Sequence, residues 1–191
     1  MNPWFVTGFS DGESCFCLSI VKNKAMKHGY RVQVIFSIEL HLKDKALLEQ
    51  IYSYFGVGEV VQTGSELIRY HVRSIKELKV LINHFDSYPL ITQKFADYQL
   101  WKQAINIIQE KRHLTLEGLK QLVAIRASIN KGLSPELKAA FIDVIPVKRL
   151  IVKDRSIPDP NWLVGFVSGE GCFHVSVSNS STNKLGIQVR L

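Results

Sequence analysis

The chain has 191 residues and a formal net charge of +7, and 46% of its residues are hydrophobic and 21% charged. These proportions exclude a disordered chain and are typical of a folded globular protein, and no apolar run approaches the roughly 18 residues of a membrane span. The basic charge favours a polyanionic partner, either nucleic acid or an acidic membrane surface. The three cysteines have no CxxC spacing, which favours neither a disulfide framework nor a zinc site. The N-terminus has the features of neither a signal peptide nor a transit peptide.

The first part of the chain predicts a unit with the order helix, strand, strand, helix, strand, strand, helix. The strand pattern is clearest where Val32, Val34 and Phe36 alternate with Arg31 and Gln33, because this places apolar and polar side chains on opposite faces. The predicted elements are a helix at 2–12, strands at 15–24 and 31–41, a helix at 43–55, a hairpin of strands at 59–63 and 67–73, and a helix at 75–85.

The next part of the chain predicts a helical extension and then a linker. Helices are expected at 94–110, 115–130 and 134–141, with Thr115 and Ser134 as N-caps. Residues 143–160 contain three prolines and several basic residues, which predicts an extended linker. We therefore divide the chain into a first unit with its helical extension (1–142), the linker (143–160) and a second unit (161–191).

Nearly the same nine-residue segment occurs twice. GFSDGESCF spans Gly8–Phe16 and GFVSGEGCF spans Gly165–Phe173, so the copies are offset by 157 positions. An internal repeat predicts two related units packed about a pseudo-twofold axis. The second copy restarts the pattern with a helix and with strands at 172–177 and 185–191, where the sequence stops. We therefore expect the second unit to be incomplete and its apolar strand faces, which include Phe173 and Leu191, to be uncovered.

Each copy places two glycines four residues apart on one helix face, just before a glutamate. Small residues at this spacing let two helix backbones approach closely, so the two helices are expected to pack together and to bring Glu13 and Glu170 side by side. Two like charges at helix C-termini are unfavourable. A hard divalent cation bound through oxygen, as magnesium (Mg2+) usually is, relieves this. The alternative is a pair of solvated glutamates at two helix ends.

At these residues the sequence resembles a known family. Trp4–Phe16, WFVTGFSDGESCF, and Trp162–Phe173, WLVGFVSGEGCF, resemble the two signature helices of LAGLIDADG homing endonucleases, whose acidic position falls on Glu13 and Glu170. The segments LHLKDKALLEQI, YPLITQKFADYQLWKQ and HLTLEGLKQLVAIRASINKGL resemble the single-chain, two-motif members encoded in fungal mitochondrial introns. The resemblance implies an α+β fold in which an αββαββα unit is repeated about the motif helices and saddle-shaped sheets lie in the DNA major groove. It also implies magnesium-dependent double-strand cleavage, with Glu13 and Glu170 as catalytic and metal-binding residues.

The polar faces of the strands are candidates for base recognition, because a sheet with one wet face can present forked donors and acceptors to base edges. Any one of these residues alone is more often an ordinary solvated strand residue, but together with the positive charge and the paired acids they favour contact with double-stranded DNA. Lys94 either contacts a phosphate near the site or is a surface lysine on a helix. The candidate DNA-binding residues are Ser19, Asn23, Arg31, Gln33, Ser37, Glu39, Arg69, His71 and Arg73, with Ser176, Ser178, Gln188 and Arg190 in the second copy.

The predicted function is that of a site-specific double-strand DNA endonuclease of intron homing. The family resemblance implies a monomer for the complete two-motif enzyme, a mitochondrial location and no membrane partner, and the lack of a transit peptide indicates a gene within the organelle. Two alternatives stay open: an intron-RNA-binding maturase that assists splicing without cutting DNA, and an inactive remnant of an intron reading frame. Because the second unit is incomplete, we expect this chain to bind DNA weakly, through one half-site.

Overall fold

The computed structural model describes residues 1–153, 155–172, 174–182 and 184–190. Phe173 and Leu191, which are predicted on the apolar faces of the second pair of strands, lie outside the described residues. Within the described ranges, no helix has both the length and the apolar character to cross a membrane.

The first unit has the predicted αββαββα order, and its boundaries lie within two residues of the predicted ones. Asn2 caps the first helix, because its Oδ1 accepts a hydrogen bond from the Trp4 N–H, and Pro3 occupies the first turn. The second helix ends at Phe55, and the next residue, Gly56, has a φ of +67°, a left-handed conformation that glycine adopts without a steric penalty. The elements are α1 (Pro3–Glu13), β1 (Ser14–Lys22), β2 (Tyr30–His41), α2 (Lys45–Phe55), β3 (Glu59–Gln62), β4 (Leu67–Val72) and α3 (Ile75–Ser87).

The four strands of the first unit form one antiparallel sheet in the order β1-β2-β4-β3. Directly opposed residues such as Phe16 and Phe36, or Ile38 and Tyr70, place apolar side chains on one face. These side chains are buried against the helices in the main hydrophobic core. The polar residues of β1, β2 and β4 therefore share the opposite face, as the alternation in the sequence predicts.

Three helices follow the first unit: α4 (Lys94–Gln109), α5 (Leu116–Ser128) and α6 (Pro135–Ala140). Both predicted N-caps are confirmed, because the side chains of Thr115 and Ser134 each accept a hydrogen bond from the backbone N–H three residues further on. α4 is fixed to the sheet by the buried Trp101, whose Nε1–H donates to the Ile35 carbonyl oxygen at 3.2 Å. The helical extension thus belongs to the same core as the first unit.

The predicted linker contains neither helix nor strand at residues 144–153 and 155–159. It is nevertheless held against α4. Arg149 forms an ion pair with Asp97 at 3.1 Å, and the Arg155 guanidinium lies 4.1 Å from the centre of the Phe95 ring. The linker therefore lies along the helical extension and connects it to the second motif helix.

The second unit consists of α7 (Pro160–Glu170), β5 (Ser176–Asn179) and β6 (Ile187–Arg190). α7 repeats α1 at the offset of 157 residues, and the N-caps are equivalent too. Asp159 accepts a hydrogen bond from the Asn161 N–H, as Asn2 does from the Trp4 N–H. The predicted starts of the two strands, Cys172 and Leu185, are wrong by four and two residues. Ser176 already pairs with Arg190, so the residues before Ser176 have no opposing strand residues within the described ranges.

The second unit lacks the cover that the first unit has. Val164 on α7 is 55% exposed, whereas Thr7, the equivalent residue of α1, is fully buried. Val177 and Val189 oppose each other in the hairpin and are 66% and 57% exposed. The expectation of uncovered apolar strand faces is therefore confirmed for the described residues.

Candidate active site

The two motif helices, α1 and α7, pack with their backbones in contact. A Cβ atom on Gly8 would lie 1.9 Å from the Trp162 carbonyl oxygen, and one on Gly165 would lie 2.1 Å from the Phe5 carbonyl oxygen. Phe5 and Trp162 are themselves 157 positions apart, so the two contacts are reciprocal. The predicted close packing of the motif helices is therefore confirmed, and glycine is required because any side chain would strike backbone atoms.

This packing brings the C-terminal ends of the two helices together. Glu13 is the last residue of α1, and Glu170 is the last residue of α7. Each glutamate stem lies against a glycine of the other helix, Glu13 against Gly169 and Glu170 against Gly12. The two carboxylates are thus neighbours, as the spacing of the repeat predicts.

The charge of this carboxylate pair is poorly compensated by the protein. Burial raises the pKa of Glu13, the nearby Glu170 raises that pKa further, and Lys94 opposes the shift. Neither glutamate forms an ion pair within the part of the chain that the structure describes. The negative ends of two helix dipoles lie at the same place. A bound cation would offset the repulsion between the carboxylates and the negative ends of the helix dipoles.

Lys94, the first residue of α4, reaches the C-terminus of α1. Its Nζ donates to the carbonyl oxygens of Ser10 at 3.1 Å and Gly12 at 2.5 Å. Burial lowers the pKa of the Lys94 ammonium, whereas the negative charges of Asp11 and Glu170 oppose that shift. Lys94 therefore lies at the site rather than on a remote helix surface, and its contact with a phosphate stays a prediction.

The available donors suit a hard cation. The two glutamates supply carboxylate oxygens, which are the ligands that magnesium prefers. No cluster of three or more His, Cys, Asp or Glu side chains that could hold a metal ion is found among the described residues. A magnesium site usually has few protein ligands and is completed by water and by phosphate oxygens of the substrate. The residues present thus fit magnesium, and they do not form the closed, fully protein-ligated site that is typical of structural zinc.

Asp11 holds the two motif helices to the rest of the first unit, a role that the sequence analysis missed. Its buried carboxylate accepts hydrogen bonds from the Ile91 N–H at 2.8 Å, the Thr92 hydroxyl at 2.6 Å and the Trp162 indole N–H at 3.0 Å. Burial raises the pKa of Asp11, and these hydrogen bonds oppose the shift. The sequence contained one signal for this role. Asp11 interrupts the similarity of the two motifs, because the equivalent position in the second copy is Ser168.

A groove of about 340 Å³ leads from Glu13 across the polar face of the sheet. It brings together five of the predicted DNA-binding residues from β2 and the β4 segment. It also includes two thiols and one apolar side chain that the sequence analysis did not place there. The predicted residues in the groove are Ser37, Glu39, Arg69, His71 and Arg73, and the additional ones are Cys15, Cys17 and Ile35.

Two of these groove residues have acidic partners on neighbouring strands. Arg69 lies directly opposite Glu39 and forms an ion pair with it. The His71 Nε2 lies 2.8 Å from Glu59 Oε1, although neither ring nitrogen has a well-directed hydrogen bond. His71 is only 3% exposed, so it is not an ordinary solvated strand residue, and its contact with DNA stays a prediction. Burial lowers the pKa of His71 and keeps its ring neutral near neutral pH.

The other predicted DNA-binding residues lie outside this groove. Ser19 and Gln33 oppose each other on the same sheet face, and Arg31 is exposed further along β2. Asn23 lies in the turn after β1, where its Oδ1 accepts a hydrogen bond from the Ala25 N–H. In the second hairpin, the predicted residues form two opposed pairs on one face, Ser176 with Arg190 and Ser178 with Gln188.

Comparison with known proteins agrees with this geometry. A family model described as LAGLIDADG endonuclease matches residues 6–105 and 163–191. "Probable intron-encoded endonuclease 3" of Neurospora crassa is 43% identical over 194 residues, which cover 100% of this chain and 36% of that relative. The structure of the meganuclease I-CpaMI bound to uncleaved DNA is 46% identical with a TM-score of 0.94, over 99% of this chain and 65% of that one. I-SmaMI bound to an uncleaved DNA target with calcium ions is 42% identical with a TM-score of 0.92, over 99% and 65%.

The α+β architecture and the paired motif helices define a protein of the homing endonuclease type. This chain belongs to the LAGLIDADG endonuclease family, and its fold is the one shared by the I-CpaMI and I-SmaMI meganucleases. It spans 36% of the Neurospora relative and 65% of each of the two solved meganuclease chains.

Proposed function

We propose that this chain carries the two metal-binding carboxylates and one DNA-binding sheet of a site-specific endonuclease that hydrolyses both strands of double-stranded DNA. The observation that carries the proposal is the position of Glu13 and Glu170, neighbours at the ends of two helices and without an ion pair in the described chain. Support also comes from the I-CpaMI and I-SmaMI structures, which are bound to DNA.

Each glutamate would hold magnesium at one scissile phosphate. Bound magnesium would lower the pKa of an attacking water and stabilise the departing oxygen. The chain's own contribution is to hold the two carboxylates close together at the helix ends. The raised pKa of Glu13 describes the metal-free protein, and a cation beside the carboxylate would oppose that shift. Lys94, held by the carbonyl oxygens of Ser10 and Gly12, adds a positive charge where a phosphate would approach.

The polar sheet face would supply affinity and register on the DNA. Exposed cations such as Arg31 and Arg73 suit phosphate contacts, whereas the other polar residues in the groove suit base edges. The name of the Neurospora relative supports an intron-encoded origin and a role in intron homing. A mitochondrial location and a monomeric two-motif enzyme stay predictions from the family resemblance.

Cleavage-site selection on randomised duplex DNA with magnesium tests the proposal. It compares the 191-residue chain with a form whose second unit is extended to the length found in the meganucleases. We expect Glu13→Gln and Glu170→Gln in the extended form to abolish cleavage but to retain DNA binding in calcium. Glu49→Gln, at an exposed glutamate on α2 with an ordinary surface ion pair, is the matched control and should cleave normally. Cleavage by the Glu13→Gln variant at the wild-type rate would refute the assignment.

A further inference from the structure

Glu39 and Arg69 form a single rigid unit across the groove. They lie directly opposite each other on β2 and β4. The Arg69 Nε–H donates to Glu39 Oε2 at 2.8 Å, and the Arg69 Nη2 lies 2.5 Å from the same oxygen. The Thr63 hydroxyl also donates to Oε2, at 3.1 Å. Three contacts therefore converge on one oxygen and fix the orientation of both side chains.

The remaining polar atoms of this pair are available. Within the described chain, no hydrogen bond or ion pair involves Glu39 Oε1 or Arg69 Nη1. The side chains of Arg69 and Glu39 are 39% and 35% exposed, and both line the groove. The unit thus presents a free acceptor beside the free end of a guanidinium fork.

The charge around the pair argues against a role as a simple phosphate clamp. Arg69 is neutralised by Glu39, and the neighbouring His71 is a neutral ring paired with Glu59. A phosphate that approached Arg69 would also approach the Glu39 carboxylate and be repelled by it. Arg73, in contrast, forms no ion pair within the described ranges and is exposed, so it is the better phosphate ligand in this groove.

An acceptor beside a forked donor matches one base pair in the major groove. Guanine presents two acceptors there, O6 and N7, and its cytosine partner presents the N4 donor. A·T pairs also present acceptors, N7 on adenine and O4 on thymine, but the adenine N6 donor lies between them. Only the G·C edge therefore offers two adjacent acceptors to the guanidinium fork together with a donor for Glu39 Oε1.

We infer that Glu39 and Arg69 act together to select one G·C base pair, with Arg69 donating to guanine and Glu39 Oε1 accepting from cytosine N4. This inference rests on the proposed function, because it takes the polar sheet face to be the DNA-binding surface. Glu39 also has a positioning role, since its Oε2 holds the guanidinium of Arg69. Loss of either partner should therefore affect recognition of the same base pair.

Selection of bound sequences from a randomised duplex library, in calcium, tests the inference on the 191-residue chain. The variants are Arg69→Lys, which keeps the charge but loses the fork, and Glu39→Gln, which keeps the shape but loses the charge. We expect both to reduce the G·C preference at the same single position by roughly 5- to 150-fold. The double variant should lose little more than the worse single variant, because the two residues act as a unit.

Arg112→Lys is the matched control, because Arg112 forms an ion pair with Glu110 and does not line the groove. It should leave the preference at that position unchanged, and thermal melting should show that all variants fold. If Arg69→Lys and Glu39→Gln alter different positions, or none, the inference is overturned while the proposed function stands. If the wild-type chain binds no duplex DNA at any salt concentration, both are overturned.

Discussion

Gly169 lies so close to Glu13 that a Cβ atom built on the glycine would come within 2.8 Å of the Glu13 Cγ. The reciprocal distance, from a Cβ on Gly12 to the Glu170 Cγ, is 3.0 Å. The second glycine of each motif therefore makes room for the carboxylate of the other motif. The first glycines make room for backbone instead, since a Cβ on Gly8 would lie 1.9 Å from a carbonyl oxygen.

This difference predicts that alanine has unequal effects at the two glycines of one motif. Gly8→Ala forces two backbones apart, and overpacking of this kind costs about 1–3 kcal/mol or more. Gly12→Ala meets only a side-chain stem, so a small cost is offset by the higher helix propensity of alanine, worth about 1 kcal/mol. Urea unfolding should show clear destabilisation for Gly8→Ala and little for Gly12→Ala. Gly12→Ala should instead impair metal-dependent cleavage in the extended form, because it displaces Glu170.

Gly64→Ala is the control for the glycine substitutions, because nothing lies within 4 Å of a Cβ atom built there. It should leave the free energy of unfolding nearly unchanged. Equal destabilisation by the alanines at Gly8 and Gly12 would contradict the proposed division between backbone contact and carboxylate contact.

The Asp11 carboxylate should stabilise the docking of α7. Asp11→Asn places an amide N–H₂ among three hydrogen-bond donors and should cost about 1–3 kcal/mol in urea unfolding. Trp162→Phe removes only the indole donor and part of the ring, so its main effect should be faster amide exchange in residues 160–170. Wild-type stability in Asp11→Asn would show that the buried carboxylate contributes nothing.

His84 should make the stability depend on pH. Its Nε2 lies 3.0 Å from the Thr7 Oγ1, whose hydrogen goes to the Tyr88 carbonyl oxygen, and its Nδ1 lies 3.1 Å from the Tyr54 hydroxyl. The neutral ring is therefore satisfied, and burial lowers its pKa from 6.5 to about 4. The unfolded state binds this proton first as the pH falls. The free energy of unfolding should therefore decrease below about pH 6.5, by about 2 kcal/mol at pH 5 and about 3 kcal/mol near pH 4.

Urea unfolding of wild type and His84→Gln between pH 7 and pH 5 measures this effect. The variant should be less stable at pH 7 but should lose less stability on acidification, because the titrating ring is gone. Parallel pH profiles for the two proteins would contradict this prediction, because they would show that the pKa of His84 is the same in the folded and unfolded states.

Hydrogen exchange should separate the two units. β5 and β6 form an isolated pair of four-residue strands with exposed apolar side chains, and such a ribbon is marginally stable in water. Amides from Ser176 to Asn179 and from Ile187 to Arg190 should exchange far faster than those of β2, which is paired on both sides. Equal protection of the hairpin and β2 would contradict this and would show a stably folded second unit.

The sequence alone determined the order of elements and the pairing of the motifs. Alternation along Arg31–His41 distinguishes strand from helix because side chains alternate faces in a strand. The spacing of Gly8 and Gly12, repeated at Gly165 and Gly169, was enough to place Glu13 beside Glu170, because residues four apart share a helix face. These inferences depend on local geometry, which is periodic and can be followed along the chain.

Only the tertiary structure decided which polar residues act together. Register places Glu39 opposite Arg69, 30 residues away in the chain, and places Glu59 opposite His71 across the β3–β4 hairpin. Lys94 meets α1 across more than 80 residues, and Asp11 meets Trp162 across 151. Such contacts depend on how helices and strands pack, and no periodicity in the sequence records that packing. The alternation of residue types along a strand therefore predicted the sheet face on which each side chain lies. The partner of a side chain and its burial depend on the assembled fold.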